Sequence, residues 1–478
     1  MEEIHQRPVL LMGPPGIGKT AIMEQIAREC GIGLVAYTIT HHTRQSAMGL
    51  PIITEREYAG ESYQITTYTM SEIIGAVYEK MEESGLSEGI LFIDEINCVS
   101  ETLAPMMLQF LQGKTFGSWK LPAGWVIVAA GNPTAYNRHA REFDIVTLDR
   151  VKKLEVTEDF SVWKEYAYRN SIHPAILSYL EIKKENFYHV ETGIDGVRFV
   201  TARGWEDLSE MLYAYEEAKI PISRELVGAY VQEGRIAGDF AAYYDLYNKY
   251  QEHYRITDIL SGNHDKELVS RFAKAAFDER LSVIGLLLGA MHSQFVAAYE
   301  AEQVMTEVFQ VLQEIKGKIE GMQASKESFL ATAYKERSRS WEKEQKAGLA
   351  DREQQLIRQR ALLLLEEYQK RLKEEGLSVE QECFPRLKEW FGSFVKEEEE
   401  KTERIKDQLE HAFSYLEEAF GSGQEMVIFV TELTADFYSM QFIGTHGSEK
   451  YYQYNSALLL KDKRKELQQD VAALLDRL

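Results

Sequence analysis

Cysteine is scarce in this 478-residue chain: Cys30, Cys98 and Cys383 are the only three, and they lie far apart. That spacing excludes a disulfide framework and a cysteine-based metal knuckle. It fits incidental thiols in a reducing compartment. Positive charge is also in deficit, with 54 Lys and Arg against 76 Asp and Glu and a net charge of −22. Nonspecific contact with phosphate backbones needs a basic footprint, so nucleic acid is not an expected partner. Apolar runs are short, and none approaches the ~20 residues needed to cross a bilayer. The segment Met1 to His5 has no apolar signal region. The expected location is therefore cytoplasmic, with no membrane span. Neither a low-complexity linker nor an internal repeat interrupts the chain, which is long enough for two or three domains.

What is present concentrates in three segments. Gly13-Pro14-Pro15-Gly16-Ile17-Gly18-Lys19-Thr20 follows the apolar run Pro8 to Met12 and precedes a helical stretch from about Thr20 to Cys30. This is the strand–loop–helix phosphate cradle of P-loop nucleotide-binding proteins. Its glycines let successive amides point into one concavity, and the helix aims its positive dipole end there. Lys19 is expected to reach the β- and γ-phosphates of ATP, and the Thr20 hydroxyl to hold Mg²⁺. The second segment, Gly89-Ile90-Leu91-Phe92-Ile93-Asp94-Glu95-Ile96-Asn97, reads as a buried parallel strand delivering two acids at its carboxyl edge. Asp94 is expected to bind Mg²⁺ through its water shell, and Glu95 to polarise the attacking water. In the third, the strand from Trp125 to Ala130 ends in Gly131-Asn132-Pro133, which places Asn132 to orient that water beside Glu95.

Strand and helix signals alternate over residues 1–157, giving strands at Val9–Met12, Leu34–Ile39, Ile90–Asp94, Val126–Ala130 and Lys153–Val156. The fold class is α/β, a three-layer parallel sheet with its ligands beyond the carboxyl ends of the strands. Residues 158–300 turn helical. From 301 to 478, Val304, Val308, Val311, Ile315 and Met322 recur near a 3.5-residue period, Leu349, Leu356 and Leu363 every seven residues, and Ile405, Leu409, Ala412, Leu416 and Phe420 form a further stripe. These predict long helices packed as a coiled-coil hairpin with a small C-terminal α/β or helical cap. Met426–Val430 reads as a short strand, Ser456–Leu478 as an amphipathic helix, and Gly376 and Pro385 as interruptions.

Together the three motifs resemble an AAA+ ATPase. Three further segments resemble its MoxR family: Met48-Gly49-Leu50-Pro51 with Tyr63 to Tyr68 as an insert in the second helix, Leu111 to Trp125 as a hairpin before the Asn132 strand, and Thr201-Ala202-Arg203-Gly204-Trp205-Glu206 as the sensor 2 segment. The resemblance covers roughly residues 4–290. It implies sheet order 5-1-4-3-2, a helical lid, and assembly into a homo-oligomeric ring, a hexamer. It also implies a protein client that the motor remodels in chaperone-like fashion, with a partner bearing a von Willebrand factor A domain. Arg150 matches the arginine that acts in the neighbouring subunit's site, with Arg141 as runner-up, and Arg203 the lid arginine that contacts the γ-phosphate. Thr201-Ala202 departs from the family's Ser-Pro, and Val151 from its usual Phe. Two other readings stay open: a chelatase-type motor driving metal insertion, and a nucleic-acid-associated motor, which the acidic balance disfavours.

Overall fold

The computed structural model describes residues 7–41, 47, 49–116, 119–137, 140–193, 196–321, 328–377 and 380–457. The chain divides into two compact units. One comprises residues 1–158 with 324–370, and the other residues 159–323 with 371–478.

The first unit is built on a five-stranded parallel sheet: β1 Val9–Met12, β2 Gly33–Thr38, β5 Gly89–Asp94, β8 Trp125–Gly131 and β9 Lys152–Glu155. Their spatial order is β2-β5-β8-β1-β9, the 5-1-4-3-2 order expected. Successive side chains of a strand face opposite ways, and here both faces are covered. Leu91, Ile93, Ile127 and Ala129 pack with Ile73 and Val77 of α2 (Glu72–Ser84) and with Met107 and Phe110 of α3 (Ala104–Gly113). Ile90, Phe92, Val128 and Ala130 pack with Met23 of α1 (Lys19–Cys30). Burial on both faces is why these strands read as unbroken apolar runs. Trp125 is fully buried, and Gly33 and Gly89 make room for its ring: a Cβ on Gly89 would lie 2.6 Å from it.

Two antiparallel hairpins leave this sheet. β3 Pro51–Tyr58 pairs with β4 Glu61–Tyr68, and the short β6 Thr115–Phe116 with β7 Trp119–Lys120. The Trp119 indole donates to the Tyr68 carbonyl at 2.9 Å, tying the hairpins together. Met48 lies outside the described residues.

The second unit is mostly helical around one large core, with Trp205, Phe240, Tyr254 and Phe295 among its buried side chains. An antiparallel hairpin, His189–Gly193 with Gly196–Val200, interrupts the stretch expected to be helical. One helix runs without a break from Phe277 to Glu320, through the boundary expected at 300. Its apolar stretch is long enough to cross a membrane by length and composition. Its residues Val283, Ile284, Leu287, Met291 and Phe295 are instead buried in this core.

The later helices follow the sheet, as expected, and divide between the two units. Phe329–Ala347 packs against α2 in the first unit, where Lys80 Nζ donates to the Lys346 carbonyl at 2.9 Å. Residues Leu409, Phe413, Leu416, Phe429, Leu433 and Phe442 belong to the same core as Trp205. The predicted stripe at Val304, Val308, Val311 and Ile315 is buried, while Met322 lies outside the described residues. The heptad at Leu349, Leu356 and Leu363 is out of register: Leu356 and Leu363 face solvent, and Ile357, Ala361, Leu365 and Tyr368 turn inward instead. Met426–Val430 is part of a helix, Gln424–Ala435, not a strand. Its apolar run lacks the alternation of a half-buried strand, and two buried acids on it are paired within the unit. Glu425 meets Arg280 at 2.8 Å, and Glu432 meets Lys164. Pro385 sits within the helix Glu380–Phe420, near its start. Of Ser456–Leu478, residues beyond 457 lie outside the described residues.

Candidate nucleotide site

Parallel register brings the three motifs to one edge of the sheet. Met12 pairs with Gly131 and Glu155, and β5 ends at Asp94 beside β8. Each strand's last residue therefore opens onto the same side.

The loop after β1 is shaped for close approach. Gly16 and Gly18 have φ of 71° and 87°, the left-handed region that favours glycine. Gly13 has no room for a side chain, because a Cβ there would lie 2.3 Å from the Val156 carbonyl oxygen. Gly18 caps α1 without a side chain, so no capping oxygen competes for the first-turn amides. Pro14 is buried, and Pro15, Ile17 and Thr20 are half-buried. The Lys19 side chain doubles back across the loop. Its Nζ donates to the Gly13 carbonyl at 3.0 Å, the Pro14 carbonyl at 2.8 Å and Asn132 Oδ1 at 2.8 Å. One buried ammonium thus joins the first motif to the third.

The acidic turn is conformationally unusual. Glu95 has φ 57°, ψ 34°, a left-handed conformation uncommon for a side-chain-bearing residue. Such a residue costs on the order of 1–3 kcal/mol and persists only where its surroundings hold it. Asp94 Oδ1 accepts the Glu95 amide at 2.8 Å, and the Cys98 amide donates to the Glu95 carbonyl at 2.8 Å. Burial, and then the charges of Glu95 and Asp94, push the Cys98 thiol above its ordinary range. That thiol also accepts from Asn137 Nδ2 at 3.2 Å.

The three arginines sit on different elements. Arg150, two residues past the short helix α4 (Ile145–Leu148), is exposed and donates to Gln112 Oε1 at 3.3 Å. Arg141 pairs with Glu101 at 3.1 Å. Arg203 lies in the second unit, exposed in the first turn of the helix Ala202–Glu217. Thr201 caps that helix by accepting the Gly204 amide at 3.2 Å, so the departure from Ser-Pro keeps a capping hydroxyl.

The motif readings did not single out Asn97. It is 3% exposed, and its side-chain amide bonds both backbone groups of Asn132. The available signal was an amide immediately after an otherwise apolar turn residue, three positions past Asp94.

The family model for the ATPase family associated with various cellular activities (AAA) matches residues 9–147. Residues 9–147 form an AAA domain. Its span covers the loop, the acidic turn and Asn132, and stops just short of Arg150. No curated protein matches the chain. Among solved structures it is similar to a "putative ATPase" from Cytophaga hutchinsonii ATCC 33406, at 18% identity with a TM-score of 0.24. That match covers 34% of this chain and 46% of the other, and a superposition so loose carries no argument.

Proposed function

We propose that the protein is a Mg²⁺-dependent ATPase. The observation that carries this is the buried Lys19 ammonium, held between the Gly13 and Pro14 carbonyls and the Asn132 side chain in an AAA domain. The cradle fits a polyphosphate: glycines where side chains would collide, uncapped amides at a helix start, and one buried cation. Thr20 and Asp94 offer oxygen donors, the ligand type Mg²⁺ prefers. When bound, Mg²⁺ would neutralise charge on the phosphate oxygens. Gly13 to Thr20 bind and orient the phosphates. Glu95 takes up the proton of the attacking water, and Asn132 fixes that water's position. Arg150, exposed on its own chain, serves a neighbouring copy, and Arg203 meets the γ-phosphate.

The assembly and the client rest on the resemblance to MoxR-type motors. In this reading the chain forms a homo-oligomeric ring, a hexamer, and remodels a protein client together with a von Willebrand factor A domain partner. The β3–β4 hairpin supports a partner-facing role, since Ile52, Ile53, Tyr58 and Tyr63 are all exposed on it. Phosphate release by the full chain, with and without Mg²⁺ and against Lys19→Ala, tests the ATPase reading. Turnover should require both the metal and Lys19. Turnover that survives Lys19→Ala would defeat the assignment.

A further inference from the structure

Asn97 stands outside the phosphate cradle, yet its bonds converge on the third motif. Its Nδ2 donates to the Asn132 carbonyl at 2.7 Å, and its Oδ1 accepts the Asn132 amide at 3.2 Å. One side chain therefore grips both backbone groups of the residue whose own side chain meets Lys19. The same Nδ2 reaches the Arg141 carbonyl at 3.3 Å, and the Asn97 backbone carbonyl accepts the Arg141 amide at 2.9 Å. Both ends of the segment from Asn132 to Arg141 are thus pinned to one residue, two positions after Glu95. Gly131 makes the fit possible: a Cβ there would lie 2.7 Å from Asn97 Oδ1.

We infer that Asn97 is a positioning residue for hydrolysis, orienting Asn132 relative to the Glu95 turn. This rests on the ATPase reading above. The end of a strand held by ladder bonds alone can pivot, whereas a two-point bond to its last peptide groups stops that pivot. Catalysis is sensitive here, since a misplacement of about 1 Å can cost on the order of a hundredfold in rate. The competing view is that Asn97 only satisfies buried backbone groups and so contributes to stability alone.

A double-mutant cycle separates the two. The turnover number, the KM for ATP, ADP affinity and melting temperature are measured for full-length wild type, Asn97→Ala, Asn132→Ala and the double variant. If Asn97 acts through Asn132, Asn97→Ala lowers the turnover number by roughly 10–100-fold, as loss of a supporting hydrogen-bond partner commonly does. ADP affinity should stay within about threefold, and the double variant should be no slower than Asn132→Ala alone. Multiplicative losses in the double variant, or wild-type turnover by Asn97→Ala, would overturn the inference. If Asn97→Ala does not fold, Asn97→Ser is read in the same cycle, its hydroxyl replacing the two-point grip with one bond. Absence of turnover in wild type would count against the ATPase reading itself, whereas active wild type with independent effects would remove only the role of Asn97.

Discussion

Gly13→Ala probes the shape of the cradle without removing any charge. The added Cβ would lie 2.3 Å from the Val156 oxygen, with Val156 carbon at 3.1 Å and the Ile17 side chain at 3.0 Å. Backbone cannot rotate out of the way as a side chain can. The Val156 N–H donates to the Met12 carbonyl at 2.8 Å, and the Gly13 N–H to the Gly131 carbonyl at 3.3 Å, which anchors both. Relief therefore requires the start of the loop to shift, carrying the Gly13 and Pro14 carbonyls that accept from Lys19. Overpacking of this kind typically costs about 1–3 kcal/mol. If that cost falls on the phosphate-binding conformation, nucleotide affinity drops by roughly 5–150-fold. ADP titration by calorimetry avoids the complication of turnover, and thermal unfolding reports any share taken by the fold. ADP affinity within about twofold of wild type, at an unchanged melting temperature, would refute the close-approach argument.

Three other outcomes follow from the same geometry. Arg150→Ala subunits mixed with Lys19→Ala subunits should recover part of the lost ATPase activity, because some interfaces then pair an intact loop with an intact arginine; a fully active isolated monomer would remove the need for a neighbour. Cutting the chain after Glu320 should unfold the second unit, since losing Phe413, Leu416, Phe429, Leu433 and Phe442 from its core forfeits roughly 8–15 kcal/mol at 1.5–3 per buried side chain, as large as a whole domain's stability; a monodisperse, cooperatively melting truncation would contradict this. Burial alone would raise Glu181 and Glu216, but Lys164 and Lys184 around the first, and His173 and Tyr244 around the second, hold both below the ordinary 4.5. A carboxyl depressed in the fold stabilises above its unfolded value, and that stability is lost as pH falls through the folded one. Melting temperature should therefore hold from neutral pH to about 5 and fall below about 4.5, and a flat profile down to pH 3 by circular dichroism would contradict it.

The candidate loop and the strands around it were legible because their determinants are local. Gly13 to Thr20 and the runs ending at Asp94 and Asn132 each carry their meaning within a dozen residues, and parallel strands buried on both faces leave continuous apolar runs. The sheet order came from resemblance, and the register of β1 against β8 and β9 agrees with it. The second half of the chain was less legible because its helices pack into a shared core rather than a regular two-stranded seam. The helix Arg352–Glu374 lies outside that core, and it turns Ala361 and Leu365 inward while Leu356 and Leu363 face outward. Glu425 and Glu432 look like surface residues until Arg280 and Lys164 appear beside them. Asn97 was hidden for a related reason: its partner Asn132 is 35 positions away in sequence and becomes a neighbour only through pairing of β5 with β8.

The central claim is that Asp94, Glu95 and Asn132, at one edge of the sheet with Lys19, hydrolyse ATP. The most direct measurement is single-turnover hydrolysis of radiolabelled ATP by Glu95→Gln beside wild type, with bound nucleotide quantified in both. The account predicts that Glu95→Gln binds ATP as wild type does and returns it almost wholly intact, because the site keeps its cradle and loses its base. Hydrolysis by Glu95→Gln at the wild-type rate would contradict it.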